Sequence, residues 1–340
     1  MADRKILTGI SSTAWEHPAD RAALQTLRAL PGFDEVVRKV AGFFGERGVR
    51  QLFLANAVRV GPRQRPKLDA LYTDVLATLD FPEERPELYV SQTPFVNAMA
   101  VGFNKPFIVI NSGMIDETED QQQRTVLAHE VGHIMSGHAT YSTIAIILLT
   151  IGIRNLPILA GVALLPFQLA LLEWYRKAEF SADRAGLLGV QDPEAALRLS
   201  LRMAGGAPKG DEENLEEFLV QAEEYEANTG AMDLVWKVIN TAFRDHPFAT
   251  VRAAELNRWV KSGEYQRIVD GDYPRRGDEK TRPLGDDYAD AAGYYGGEWR
   301  SAVDSVNSMF NRARDAFDSA VRGGGNGGNG GGGGTGGSAT

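Results

Sequence analysis

No cysteine occurs among the 340 residues of this chain. A disulfide framework and a zinc site built from thiolates are therefore both excluded, and a bound metal ion would be held by His, Asp or Glu side chains. Histidine is scarce as well, with five residues in the whole chain. Two histidines at a metal-binding spacing therefore carry more information here than they would in a histidine-rich sequence.

Basic residues are not in excess either: the formal net charge is -9 and the pI is about 5.2. Nucleic-acid binding needs a concentrated basic surface, so a nucleic-acid partner is not expected. The first ten residues lack the long apolar run of a secretory signal peptide. Together with the absence of cysteine, this predicts a cytoplasmic protein. An apolar stretch described below adds association with the inner face of the cell membrane as the alternative.

Hydrophobic periodicity predicts helices over most of the chain and a few short strands. Apolar residues recur at helical spacing from Leu24 to Phe44, which predicts an N-terminal helical layer. The β-branched and aromatic runs 88–90 and 107–110 are typical of strands. The acidic segment 116–120 favours the start of another helix. We therefore predict an α+β fold that is mostly helical and contains a small β-sheet.

The sequence His-Glu-Val-Gly-His at residues 129–133 carries the main chemical signal. Residues four apart on a helix lie about 40° apart around its axis, so His129 and His133 project from one face and can bind one zinc ion. Glu130 lies on the flank of that face. Zinc lowers the pKa of a bound water to about 7, and a nearby carboxylate can take its proton as the water attacks a carbonyl. This pattern predicts amide hydrolysis.

A zinc peptidase needs a third protein ligand and leaves a fourth position for water. Glu179 is the candidate ligand, and Asp183 follows it by four residues on the same predicted helical face. From there Asp183 can accept a hydrogen bond from a ligand histidine and fix its tautomer. The alternative is that His129 and His133 are partly exposed helix residues that pair with carboxylates.

These residues resemble the motifs of peptidase family M48, the gluzincin metallopeptidases that include HtpX and the CAAX prenyl endopeptidases. The resemblance follows the order of the family's motifs across about residues 88–256. The blocks that carry it are 97–100 with Gly102, 113–115, 127–138, 179–183, and His246-Pro247 with Arg252.

The resemblance implies a gluzincin, zincin-like domain that binds one Zn²⁺ per chain and acts on protein or peptide substrates. His246 matches a position that stabilises the oxyanion through its ring N–H, and a helix-start histidine before Pro247 is the equal alternative. The other implied roles are zinc binding by His129, His133 and Glu179, general-base catalysis by Glu130, a hydrogen bond from a ligand histidine to Asp183, and binding of the substrate backbone by the edge-strand residues Asn97, Ala98, Met99 and Ala100.

The predicted organisation is one metallopeptidase domain followed by three appendages. The domain covers residues 1–262 and includes an apolar insertion at 143–172. A polar linker at 263–298 and an amphipathic helix at 299–321 follow. Residues 322–340 are almost entirely Gly, Asn, Ser and Thr, a composition typical of a disordered tail.

The apolar insertion leaves three alternatives open. Residues 143–153 and 156–172 carry no charged side chain, and Arg154 and Asn155 separate the two halves. A membrane span needs about 20 apolar residues, so neither half fits one comfortably. A hairpin in one leaflet, a pair of buried helices over the core and an oligomer contact remain, and the oligomeric state stays open.

The predicted function is zinc metalloendopeptidase. The alternative from another class is a catalytically idle gluzincin scaffold that binds partners or a membrane. The presence of Glu130 argues against the scaffold, because a zinc site without catalysis has no need of a base there. An exopeptidase is a third alternative, although no motif for binding a free chain terminus is present.

Overall fold

The computed structural model describes residues 4–155, 158–205, 213–227 and 248–277. His246, the predicted helix 299–321, the predicted tail 322–340 and the linker residues 278–298 lie outside this range. The described helices are α1 (Pro18–Arg28), α2 (Phe33–Leu54), α3 (Pro66–Thr78), α4 (Ser112–Glu117), α5 (Asp120–Met135), α6 (His138–Asn155), α7 (Ile158–Val190), α8 (Pro193–Gly205), α9 (Leu215–Ala227), α10 (Ala249–Lys261) and α11 (Glu264–Val269), and the described strands are β1 (Ala57–Arg59), β2 (Leu88–Ser91), β3 (Ala98–Val101) and β4 (Phe107–Asn111).

This architecture confirms the predicted fold class, a mostly helical α+β domain with a small sheet. The strand order is β1-β2-β4-β3, with β2 and β4 parallel and the outer strands antiparallel to their neighbours. Successive side chains of a strand point to opposite faces. Ile108 and Ile110 of β4 therefore enter the main core, whereas Phe107 and Val109 pack on the other face beside α2.

The helix that carries the His-Glu-Val-Gly-His sequence begins where the acidic segment predicted a start. The Glu119 side chain accepts from the backbone N–H of Gln122, and the Gln122 side chain accepts from the backbone N–H of Glu119. This capping box satisfies two N–H groups that have no partner within the helix. It fixes the start of α5 and therefore the face on which its later residues lie.

Two glycines allow α5 and α7 to pack closely. A Cβ atom at Gly132 would lie 2.4 Å from Cβ of Ala185, and one at Gly189 would lie 2.2 Å from Cβ of Ala128. Real side-chain atoms do not approach so closely, so these positions exclude any larger residue without movement of a helix. The contact holds the two helices that carry the predicted metal ligands against one another.

Gly189→Ala is expected to lower the free energy of unfolding by about 1–3 kcal/mol, because its methyl group overlaps Ala128. Gly42→Ala in α2 is the matched control, since a Cβ there meets nothing within 4 Å. That control should stabilise the protein by about 0.5–1 kcal/mol through helix propensity. Urea unfolding of both variants measures the difference, and equal stability would show that α5 and α7 separate freely.

The described ends of the apolar insertion are buried in protein. Ile144, Ala145 and Leu148 of α6 pack with Ala170 and Leu171 of α7 in a second core, together with α1 and α2. Among the described helices, none combines the length and the apolar character needed to cross a membrane. The described ends therefore fit buried helices over the core, while side chains 149–166 lie outside what is described.

The beginning of the predicted polar linker is helical. Tyr265 and Ile268 of α11 are buried and belong to the main core. These two apolar residues are three positions apart, so they lie on one face of the short helix and pack against the domain. Residues 264–269 thus belong structurally with the domain.

Candidate active site

Three side chains from α5 and α7 converge at the centre of the domain. The Nε2 atoms of His129 and His133 lie 3.2 Å apart. The carboxylate of Glu179 reaches both rings, with Oε1 at 3.2 Å from Nε2 of His133 and Oε2 at 3.6 Å from Nε2 of His129. All three side chains are buried, and they form the one His, Asp and Glu group with metal-binding spacing in the described part of the chain.

The spacing of these atoms fits a tetrahedral metal ion. Ligand atoms bound to zinc at about 2.0–2.1 Å with tetrahedral angles lie roughly 3.3–3.4 Å apart. The 3.2 Å between the two imidazole nitrogens is close to that value, and the Glu179 carboxylate approaches each nitrogen with a different oxygen, at 3.2 and 3.6 Å. Two imidazole nitrogens and a carboxylate are also a donor set that zinc accepts. The residues present therefore fit the metal that the sequence predicts.

His129 is oriented by Asp183, one helical turn after Glu179. Nδ1 of His129 lies 3.1 Å from Oδ1 of Asp183, so the ring N–H donates to the carboxylate. This bond leaves the lone pair on Nε2, which faces the other two converging side chains. The structure thus places Asp183 where it can fix the tautomer of His129.

Arg252 of α10 joins the two carboxylates of α7. Its Nε donates to Oδ2 of Asp183 at 2.8 Å, Nη2 donates to Oδ1 of the same side chain, and Nη1 lies 3.1 Å from Oε2 of Glu179. The sequence motif named Arg252 without giving it a role. No local pattern could have done so, because 69 residues separate it from Asp183.

Burial and neighbouring charges have opposing effects on the pKa values of the side chains at this site. Burial lowers the pKa of His133 to about 4, which keeps its imidazole neutral at pH 7. Burial also disfavours a charge on His129, but Glu179 and Asp183 together raise its pKa. Burial alone would raise the pKa of Asp183, and the guanidinium of Arg252 holds it below its usual range. A proton and a metal ion therefore compete for His129.

His133 contacts a second buried histidine, five residues later in the chain. Nδ1 of His133 lies 3.1 Å from Nδ1 of His138, which is buried at 2% exposure. A continuous helix would have carried His138 around to another face. Instead α5 ends at Met135, Gly137 adopts a left-handed φ of 71°, and His138 begins α6.

His129 and Glu179 border a cleft between β3, α5, α8 and α10. Glu130 is 4% exposed and lines this cleft beside His129, Asn97 and Ala98. Farther along the same strand, the side chain of Ala100 is buried in the main core and that of Met99 packs on the opposite face of the sheet. Sequence reasoning missed the α8 wall of the cleft, formed by Ala196, Leu199, Ser200 and Met203.

The sequence of residues 62–260 matches the profile described as Peptidase family M48, and this region covers more than half of the chain. The chain belongs to peptidase family M48. Membership of M48 confirms the family predicted from the motifs and makes the protein a metal-dependent peptidase that acts on peptide or protein substrates. The candidate metal site of this M48 peptidase consists of His129, His133 and Glu179.

Named relatives agree with M48 membership. Plastoglobule-localized metallopeptidase 48, chloroplastic, of Arabidopsis thaliana is 33% identical over 260 residues, which cover 75% of this chain and 74% of that protein. A protease HtpX homolog of Moorella thermoacetica is 24% identical over 262 residues, covering 69% of this chain and 85% of that protein. Protease HtpX homolog 2 of Methanosarcina acetivorans is 23% identical over 248 residues, covering 64% and 80%. No solved structure matches the chain significantly.

Proposed function

We propose that this M48 peptidase is a zinc-dependent endopeptidase in which His129, His133 and Glu179 bind one Zn²⁺ and Glu130 is the general base. The convergence of two imidazole nitrogens and a carboxylate at separations of 3.2–3.6 Å carries the proposal. Zinc held there would supply a water with a pKa near 7 and an electrophile that polarises the scissile carbonyl.

The chain's own residues supply the proton transfers and the binding of substrate. Glu130 lies in the cleft beside His129, where its carboxylate can take a proton from the attacking water and return it to the leaving amine. Asp183 holds His129 in the tautomer that leaves Nε2 free to bind a cation. Arg252 balances the negative charge of Glu179 and Asp183.

The substrate is proposed to bind as an extended strand beside β3. Among the described strands, β3 lies at an edge of the sheet and pairs on one side with β4. It begins at Ala98, which lines the cleft together with the preceding residue Asn97. An edge strand binds peptide through main-chain hydrogen bonds and therefore with modest sequence preference. The oxyanion role predicted for His246 remains a proposal outside the described residues.

Glu179→Gln tests the metal site with a nearly isosteric change. We expect it to lower zinc affinity by at least about 100-fold. Loss of a hydrogen bond that supports a metal ligand costs up to about 100-fold, and loss of a ligand itself should cost no less. Glu173→Gln is the matched control, because Glu173 lies on the same helix and pairs with Arg176 and Lys177 instead. Zinc content by elemental analysis and cleavage of unfolded casein, each with and without chelator, measure the effect.

The outcomes of this experiment separate the competing functions. About one zinc per chain with chelator-sensitive release of internal fragments supports an endopeptidase, whereas release of single residues supports an exopeptidase. Bound zinc without cleavage of any substrate would favour the idle scaffold. Zinc retained by Glu179→Gln at wild-type affinity would remove Glu179 from the ligand set.

We also propose a cytoplasmic location for this protein. The alternative is membrane association through residues 143–172. The printed name of the Arabidopsis relative places that protein at plastoglobules. Recovery of this chain in the soluble fraction without detergent would support the cytoplasm. Sedimentation with membranes that resists a high-salt wash would support the alternative.

A further inference from the structure

A chain of buried hydrogen bonds links the candidate metal site to α1. His138 Nε2 lies 3.1 Å from Oδ2 of Asp20, and its Nδ1 lies 3.1 Å from Nδ1 of His133. The three side chains are 2–4% exposed. Asp20 also accepts from Trp174 Nε1 at 3.0 Å and from Ser181 Oγ at 2.6 Å.

When His138 is neutral, the donors and acceptors of these hydrogen bonds define the tautomer of His133. A carboxylate of Asp20 can only accept, so Nε2–H of neutral His138 must donate to it. Nδ1 of His138 then carries a lone pair and accepts from Nδ1–H of His133. The lone pair of His133 is thereby left on Nε2, the atom that faces Glu179 and His129.

We propose that Asp20, acting through His138, is a positioning residue that fixes the tautomer and ring orientation of His133 and so sets the affinity of the site for zinc. The proposal rests on the metal site proposed above. It extends that site beyond the region matched by the family profile, since Asp20 precedes residue 62. Helix α1 then belongs to the metal site as well as to the second core.

Asp20→Asn should reverse the direction of donation along the hydrogen bonds from Asp20 through His138 to His133. The variant keeps the shape of the Asp20 side chain. Trp174 Nε1–H can only donate, so the amide oxygen of the variant is expected to turn toward it. The amide NH₂ then faces Ser181 and His138, and His138 must accept at Nε2. Its proton moves to Nδ1 and meets the N–H of His133, which drives a proton onto Nε2 of His133. A proton on that nitrogen excludes a metal ion.

The primary measurement is the zinc dissociation constant of the full chain, determined by competition with a chromophoric chelator. We expect Asp20→Asn and His138→Phe each to weaken zinc binding by about 10- to 100-fold. The Asp20→Asn/His138→Phe double variant should be no weaker than His138→Phe alone, because both changes act through one contact. His138→Asn should lose less than tenfold, since its amide oxygen can accept near the position of Nδ1.

A second measurement does not depend on zinc. Long-range ¹H–¹⁵N spectra of the metal-free protein report histidine tautomers, and the chain has five histidines to assign. Burial disfavours a charge on His138 but Asp20 raises its pKa, so the spectra are recorded at alkaline pH, where His138 is neutral. There we expect His133 to carry its proton on Nδ1 in the wild type and on Nε2 in Asp20→Asn. Thermal unfolding of each metal-free variant shows whether it folds.

Three results would overturn the proposal: wild-type zinc affinity in Asp20→Asn, additive losses in the double variant, or an unchanged tautomer of His133. Trp174→Phe is a useful comparison, because it removes another hydrogen bond of Asp20 but keeps an aromatic ring beside His138. It should cost stability but leave the tautomer unchanged. Failure of the wild type to bind zinc would instead contradict the proposed function, and the tautomer measurement would still decide the role of Asp20.

Discussion

Glu130→Gln is expected to bind one zinc per chain with wild-type affinity and to lose about 10²- to 10⁴-fold in kcat for peptide hydrolysis. The variant keeps the volume of Glu130 in the cleft but removes the carboxylate that we propose accepts the proton of the attacking water. Glu130 is not among the three side chains that converge on the metal position, so zinc binding should not change. Single-turnover cleavage of unfolded casein together with elemental analysis measures both quantities.

The control for this prediction is Glu173→Gln, the same chemical change at a carboxylate that pairs with Arg176 and Lys177 outside the cleft. Its turnover should match that of the wild type. Turnover retained by Glu130→Gln within a few fold would remove Glu130 from its proposed role as base. Loss of zinc from the same variant would instead assign it to metal binding.

Arg252→Gln is expected to lower the free energy of unfolding of the metal-free protein by about 3–5 kcal/mol, because it leaves buried carboxylates without their counter-charge. Arg252 is 7% exposed and contacts both Glu179 and Asp183. Burial disfavours the charge of this guanidinium, but the two carboxylates raise its pKa, so it is charged throughout the accessible pH range.

Arg252→Lys is the matched variant for this prediction. It keeps the positive charge but cannot reproduce the paired N–H groups that reach Asp183. Its loss of stability should therefore be smaller than that of Arg252→Gln. Urea unfolding in the presence of chelator, with equal m values for the three proteins, makes the comparison valid. A loss below about 1 kcal/mol for Arg252→Gln would show that water already screens the two carboxylates.

Helical periodicity in the sequence predicted part of the site. A spacing of four residues placed His129 and His133 on one face, and the same spacing placed Glu179 and Asp183 on another helix. The structure brings these side chains together. The fold class and the family were also predicted correctly, because strand composition and ordered motifs are local signals.

Contacts between residues that are far apart in the sequence could not be predicted. Asp20 lies 113 residues before His133, in the first turn of α1, and no local pattern relates it to the metal ligands. On one continuous helix His138 would lie around the axis from His133, whereas the left-handed residue Gly137 separates α5 from α6. Ser136 and Gly137 are typical of a helix end, and this signal could have been used.

The position of β3 at the edge of the sheet has a consequence for how protein substrates would be sorted. A segment that pairs with β3 must first release its own main-chain hydrogen bonds, and residues inside a folded domain do so only during local opening. When opening is fast relative to cleavage, the rate of proteolysis follows the equilibrium population of the open form. The peptidase would then rank its substrates by their local stability, and a damaged or unassembled protein would be degraded ahead of an intact one with the same sequence.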